Sequence, residues 1–187
     1  MALTAPINAY GIMRLHLPLV CLCLLLAGTG NAGAQQDQRA VRAAYLFNLT
    51  RYVVWPRNSR DLRICSEADE QTSELLKKIL DGKNSDGRIV HVVLHPSAAE
   101  QRNCAILYMG NTSPKRAAEI LQGLRASPVL TVGDDPQFAH RGGMVGLVRS
   151  EDQIQLYVNI SAVQSAGIQM SSRLLSIAVV NHSEGRN

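Results

Sequence analysis

Between residues 62 and 132 short β-branched apolar runs alternate with segments of helical character, and this alternation constrains the fold more than any other feature of the chain. Leu62 to Cys65 reads as a strand, Ser73 to Leu80 as a helix stopped at Asp81-Gly82, and Ile89 to Leu94 as a second strand. Ala105 to Met109 is a third strand. The following Asn111-Thr112-Ser113-Pro114 supplies an N-cap and a proline start for a helix reaching Leu124, and Val129 to Val132 forms a fourth strand. Downstream, Gly142-Gly143 precedes Met144 to Val148, and Ser150-Glu151-Asp152 turns the chain into Ile154 to Val158, which reads as a hairpin. The pattern predicts an α/β fold: a single domain with a mainly parallel sheet flanked by helices on both faces, Rossmann-like, and an antiparallel C-terminal edge hairpin.

Residues 13 to 34, MRLHLPLVCLCLLLAGTGNAGA, combine one arginine, an apolar run and a terminal Ala32-Gly33-Ala34, the composition of a secretory signal with its cleavage site. Residues 1–34 are therefore expected to be removed, leaving a domain over 35–187 that begins at Gln35, with either Met1 or Met13 as the initiator. The run from Leu17 to Ala27 is shorter than the roughly 20 residues a bilayer span needs. Cys21 follows Val20 and Cys23 follows Leu22, whereas a lipoprotein signal wants a small residue before its cysteine. A soluble exported protein is expected.

With those two cysteines removed, Cys65 and Cys104 remain as one possible pair in an oxidising compartment. Bonded, they would close a loop of roughly 40 residues, worth about 4 kcal/mol in the chain-entropy model. The rival reading, a reactive thiol or a metal ligand, finds no CxxC and no histidine near either cysteine in sequence. Charge excludes another class of function. Nineteen Lys and Arg against 15 Asp and Glu, dispersed along the chain, do not make a nucleic-acid surface, and no polybasic run marks a membrane.

The first element after the leader is expected to run from Gln38 to Val54, with Val41, Ala44, Tyr45, Asn48, Leu49 and Tyr52 at helical spacing and Pro56 as its stop. Phe47 points off that stripe, toward the following loop or an interface. Four N-x-S/T sequons, at Asn48, Asn111, Asn159 and Asn181, suit glycosylation poorly, because Asn48 falls on the apolar helix and Asn159 ends a strand. The tail, NISAVQSAGIQMSSRLLSIAVV, is the most apolar stretch. It reads as a short helix from Ser161, a break near Gly167 and a second helix capped by Ser171 or Ser172. Leu174, Leu175, Ile177 and Ala178 exceed the needs of one helix stripe, so this region is either core or an interaction patch.

Catalytic chemistry is not legible. GxSxG, Walker and GxGxxG patterns are absent, and Gly142-Gly143 precedes a strand instead of opening a helix. His91 and His95 share a strand face without an acidic or cysteine partner in sequence, and Asp134-Asp135-Pro136 is turn composition. No catalytic residue, metal or cofactor is expected.

Taken together, RAAYLFNLTRYVVWP at 42–56, LRIC at 62–65, CAILYMG at 104–110, PVLTVGD at 128–134, GGMVGLV at 142–148 and IQLYVNISAVQSAGIQMSSRLLSIA at 154–178 resemble the YfiR family. Val54 departs from it, standing where such helices often carry an acidic residue before Trp-Pro. The resemblance implies a periplasmic regulator that inhibits a YfiN-like inner-membrane diguanylate cyclase through that enzyme's periplasmic domain. It further implies sequestration by a YfiB-like outer-membrane lipoprotein, and so control of cyclic di-GMP and biofilm formation. The alternative is a periplasmic sensor module tuned by a small-molecule effector bound at the strand ends of the sheet. Two exposed surfaces are expected to meet partners: the turn carrying Trp55, Arg57 and Arg60, and the apolar tail around Ile160, Val163, Ile168, Met170, Leu174 and Leu175. A homodimer covering the apolar patch is expected.

Overall fold

The computed structural model describes residues 31–56, 61–151 and 153–181. The chain divides into two units, Met1–Gln38 and Arg39–Asn187. In the first, the described residues are helical; the sheet and its cores belong to the second.

Helix α1 (Asn31–Tyr52) extends N-terminally beyond the expected start at Gln38, through the expected cleavage point, and ends two residues early. Val53 and Val54 leave the helix as strand β1 (Val53–Val54) because β-branched residues close to a proline favour extended backbone. The buried face of α1 is Ala43, Leu46, Leu49 and Thr50, continued by Val53. The expected stripe is therefore rotated away from the true one: Val41 is 46% exposed, and Ala44 and Asn48 are exposed. With Asn48 at the surface, its burial no longer argues against glycosylation there. Phe47 is partly buried against the core, with the Lys83 ammonium 5.5 Å from its ring centroid.

Strand β2 (Asp61–Ser66), helix α2 (Glu70–Leu80), β3 (Asn84–Ser85), β4 (Arg88–Leu94), α3 (Ala98–Gln101), β5 (Ile106–Gly110), α4 (Pro114–Gly123) and β6 (Leu130–Gly133) follow; all but the short β3 and α3, which were not expected, match the predicted alternation. Asp69 caps α2, accepting from the Thr72 amide at 3.0 Å and the Thr72 hydroxyl at 2.7 Å. Ser113 caps α4, with Pro114 in its first turn. Strands β7 (Val145–Ser150) and β8 (Gln153–Asn159) form the predicted antiparallel hairpin, registered from Val145 opposite Val158 to Ser150 opposite Gln153.

In the tail, α5 (Ile160–Ser165) is capped by Asn159 and α6 (Ser172–Leu175) by Ser171. Between them β9 (Gln169–Met170) pairs antiparallel with β1. The last described strand, β10 (Val179–Asn181), runs parallel to β8 and adds one strand outside the hairpin.

The main sheet has eight strands in the order β10-β8-β7-β6-β5-β2-β4-β3. Its central run, β4-β2-β5-β6-β7, is parallel. Alternate residues feed two cores. Leu62, Ile64, Val90, Val92, Ile106, Tyr108, Leu130 and Val132 share one with α1, α2, α5 and α6. Cys65, Leu107 and Met109 share the other with Ala117 and Ile120 of α4 and with Phe138. This two-sided burial explains why these strands read as continuous apolar runs.

Cys65 and Cys104 form the predicted disulfide, with their Cα atoms 5.9 Å apart and both residues buried. The bond ties β2 to the segment entering β5. Phe138 lies so close to Gly133 and Gly143 that a Cβ on either would fall within 2.7 Å and 2.2 Å of its ring, respectively. Gly143 therefore serves packing, whereas Gly142, with open space around it, supplies the φ of +95° that the turn needs.

Candidate functional site

Pairing of β1 with β9 brings together the two regions expected to be separate surfaces. Val53 lies opposite Met170 and Val54 opposite Gln169, and the Ser171 amide donates to the Tyr52 carbonyl at 2.9 Å. Burial then divides the predicted residues. Trp55 is 8% exposed, because the core takes its ring and the Ala105 carbonyl accepts its indole N–H at 2.8 Å. Val163, Ile168 and Leu174 are core residues, so the expectation that they lie on an exposed surface is corrected. The surplus of apolar side chains in the tail is spent on covering the sheet around α5 and α6.

Ile160, Met170 and Leu175 are half-buried, the latter two packed against the core. Arg57 and Arg60 lie outside the described residues. Two apolar side chains not selected from the sequence as partner contacts are the most exposed large ones among the described residues: Val54 at 62% and Ile177 at 70%. The absence of the usual acidic residue at Val54 was the signal that could have found the first.

A second constellation stands at the carboxyl ends of the parallel strands, where the strand order reverses between β2 and β5 and an open α/β sheet ordinarily offers a ligand crevice. Here the protein's own groups crowd that position. A Cβ on Gly110, whose φ is +53°, would meet the Ala68 Cβ at 2.9 Å, so the loops after β2 and β5 are in contact. Beside them Arg42 of α1 reaches Asp134, with Nε 2.7 Å from Oδ2, and the Tyr108 hydroxyl donates to the same oxygen at 2.7 Å.

Burial pushes the Asp134 carboxyl above the usual carboxylate range, and the opposing pull of Arg42 and Tyr108 does not fully offset it. Burial, and then the neighbouring Asp134 charge, push the Tyr108 phenol far up, which keeps it a neutral donor. Asp134, read from the sequence as part of a turn, is thus a largely buried structural carboxyl group. Its neighbour Asp135 makes the turn, accepting from the Gln137 amide at 2.7 Å and pairing with Arg141.

His91 and His95 take different partners. His91 Nε2 is 3.7 Å from Asp61, and His95 Nε2 is 2.9 Å from Glu70. Among the described residues no three His, Cys, Asp or Glu side chains gather in a ligating group, and no helix is long and apolar enough to cross a membrane.

The sequence model of the YfiR/HmsC-like family matches residues 39–179, from the Arg39 turn of α1 into β10, and takes in both bonded cysteines. The chain belongs to the YfiR/HmsC-like family. That family is a regulatory, non-enzymatic one, associated with periplasmic control of diguanylate cyclases.

Two solved structures are similar to this YfiR/HmsC-like chain. One is an ABC domain in complex with L-Trp from Streptococcus pneumonia, with 11% identity and a TM-score of 0.48. The other is a conserved domain protein from Vibrio cholerae, with 12% identity and a TM-score of 0.49. In each case 74% of this chain is covered, and the chain spans 59% of the other.

Proposed function

We propose that this chain is a periplasmic regulator that binds the periplasmic domain of a YfiN-like inner-membrane diguanylate cyclase, holds the enzyme inactive, and is itself sequestered by a YfiB-like outer-membrane lipoprotein. The family match over residues 39–179 carries this reading. The Cys65–Cys104 disulfide supports it, since such a bond persists in an oxidising compartment. In this reading residues 1–34 direct export and are removed, and the protein is soluble in the periplasm. It never meets cyclic di-GMP, which is made across the bilayer.

Inhibition then requires only differential affinity. The regulator binds the inactive cyclase conformation more tightly than the active one, and the lipoprotein competes for the free regulator. A hundredfold preference would shift the cyclase equilibrium by about 2.7 kcal/mol. We assign the partner-binding surface to the β1–β9 ribbon with Val54 and Met170, and to Ile160, Leu175 and the exposed Ile177. The same apolar surface is offered for a homodimer.

The test is purification of the crosslinked exported protein from the cell envelope, together with cyclic di-GMP measurement in cells with and without its gene. Recovery of a cyclase, with cyclic di-GMP rising on deletion, is expected. Unchanged cyclic di-GMP on deletion would overturn the proposal. The sensor alternative gains no support from the crevice at the carboxyl ends of the strands, where Ala68, Gly110 and the Arg42–Asp134–Tyr108 group stand.

A further inference from the structure

Among the described residues the opposite end of the sheet leaves a cleft. A cleft of about 200 Å³ lies where β2 and β5 begin, bounded by Trp55, Leu62, Ala105 and Pro128 and rimmed by Arg63 and Arg102, with Asp61, Asn103 and Cys104 completing its lining. The volume equals that of roughly six or seven waters, which suits a small metabolite and is below the range of drug-sized pockets.

Its walls are fixed before anything binds. The Ala105 carbonyl accepts from the Trp55 indole at 2.8 Å and from the Leu130 amide at 2.9 Å, the Ala105 amide donates to the Arg63 carbonyl at 2.8 Å, and Cys104 is bonded to Cys65. A rigid site loses less conformational freedom on binding. Trp55 is held from another side by Arg88, whose guanidinium lies 5.8 Å from the ring centroid.

The chemistry of the lining selects a class of ligand. Trp55, Leu62, Ala105 and Pro128 are apolar, and the charged groups are two guanidinia against one carboxylate. That carboxylate, Asp61, lies 3.7 Å from the His91 ring. Arg102 uses Nη2 on the Gly123 carbonyl at 3.3 Å, which directs its side chain while its other N–H groups can still donate. A lining that combines apolar side chains with two guanidinia fits an organic anion, because a guanidinium meets a carboxylate with two parallel hydrogen bonds.

We propose that this cleft binds a small organic carboxylate, its carboxylate group held by Arg63 and Arg102 and its apolar body lying against Trp55 and Pro128. The inference is independent of the cyclase reading and locates a ligand at the end of the sheet opposite to the crevice expected of such folds.

Trp55 is the single tryptophan of the chain, so its fluorescence reports on the cleft directly. The exported protein is titrated with cyclohexanecarboxylate and, as the uncharged match, cyclohexanecarboxamide. A saturable change with a dissociation constant on the order of 1 mM is expected for the acid, with the amide and the Arg63→Gln and Arg102→Gln variants each roughly tenfold weaker. Both arginines are exposed, so the variants should melt with the wild type.

Equal binding of acid and amide, undiminished binding by both variants, or no saturable change overturns the proposal. A second readout needs no variant: in the wild-type protein the Trp55 indole N–H and Asn103 amide resonances must shift with the acid, and shifts confined to residues away from the cleft also refute it. No cyclase enters either measurement, so failure here is distinguishable from failure of the proposed function.

Discussion

Replacing Ile168 separates core from docking surface in the tail. Its side chain is 2% exposed and belongs to the cluster holding Val163, Ala166 and Leu174. Truncation to alanine removes three buried carbons and leaves a cavity, a change that costs about 2–5 kcal/mol. With Gly167 at φ +69° ahead of it and β9 behind, the backbone is pinned and little relaxation is open to it, so about 3 kcal/mol is expected. For a domain of this size that lowers the melting temperature by roughly 10 °C. Ile168→Glu adds an unpaired buried charge costing about 3–5 kcal/mol more, which with the lost packing consumes much or all of the roughly 5–15 kcal/mol typical of a whole domain's stability, so the yield of folded protein should collapse. The assay is thermal unfolding followed by circular dichroism, with Val54→Glu as the exposed control expected to melt with the wild type. Ile168→Ala melting within about 2 °C of the wild type would show that the tail is not packed as described.

Serine at both Cys65 and Cys104 should cost about 4 kcal/mol, and a free-thiol titration of the denatured, unreduced protein lacking residues 1–34, and so Cys21 and Cys23, should find none; two thiols would refute the bond. Val54→Glu and Ile177→Glu should leave secretion and melting unchanged yet raise cyclic di-GMP, and wild-type levels in both variants would remove this face from the proposed interface. Asp134→Leu alone should cost about 3–5 kcal/mol by removing the carboxylate from the buried Arg42–Asp134 ion pair, whereas Asp134→Leu combined with Arg42→Met should recover most of it, a double-mutant comparison read by denaturant unfolding. Burial tends to raise the pKa of Asp69, but the Thr72 hydroxyl and amide and the Arg39 charge outweigh it and leave the carboxyl below its usual 3.8. Its contribution to stability is therefore present above that value and is lost as pH falls through the lower folded-state pKa. Asp69→Ala should cost about 1 kcal/mol at neutral pH and almost nothing in strong acid, as read from melting temperatures across that range.

The alternation of strands and helices was legible because each apolar run is bounded by residues whose local chemistry admits one role. Asp81-Gly82 ends α2, Ser113-Pro114 opens α4, and Ser150-Glu151 turns the hairpin. The face of α1 was not legible. Alanines and aromatics occur all around that helix, and the residues deciding its orientation, Leu46 on the sheet and Arg42 on Asp134, are set by tertiary partners that periodicity cannot see. The tail failed for a related reason. Composition reveals surplus apolar surface but cannot say whether a sheet of the same chain will cover it, and the sheet covers Val163, Ile168 and Leu174. Nor could spacing show that Trp55 meets Ala105, since that hydrogen bond exists only once β5 lies beside β2.

The closed crevice bears on how a regulator of this kind can work. A doubly wound sheet that senses a ligand at its carboxyl ends must leave room between the loops after its reversing strands, and here Ala68 meets Gly110 while α1 adds an arginine held by Asp134. Opening that position would break the largely buried Arg42–Asp134 ion pair, a cost of several kcal/mol before any ligand contact forms. A ligand entering there would have to supply that energy out of its own affinity. Regulation through the rigid outside of the fold carries no such cost: a partner can dock on the β1–β9 ribbon, and a small anion can enter the preformed cleft beside Trp55, with the core unchanged. Both sites converge on one short segment, since Val54 stands on the ribbon and Trp55 on the cleft wall. Occupancy of the cleft would thus lie one residue away from the proposed partner surface, and any effect of the anion on affinity for the partner must equal the partner's effect on affinity for the anion.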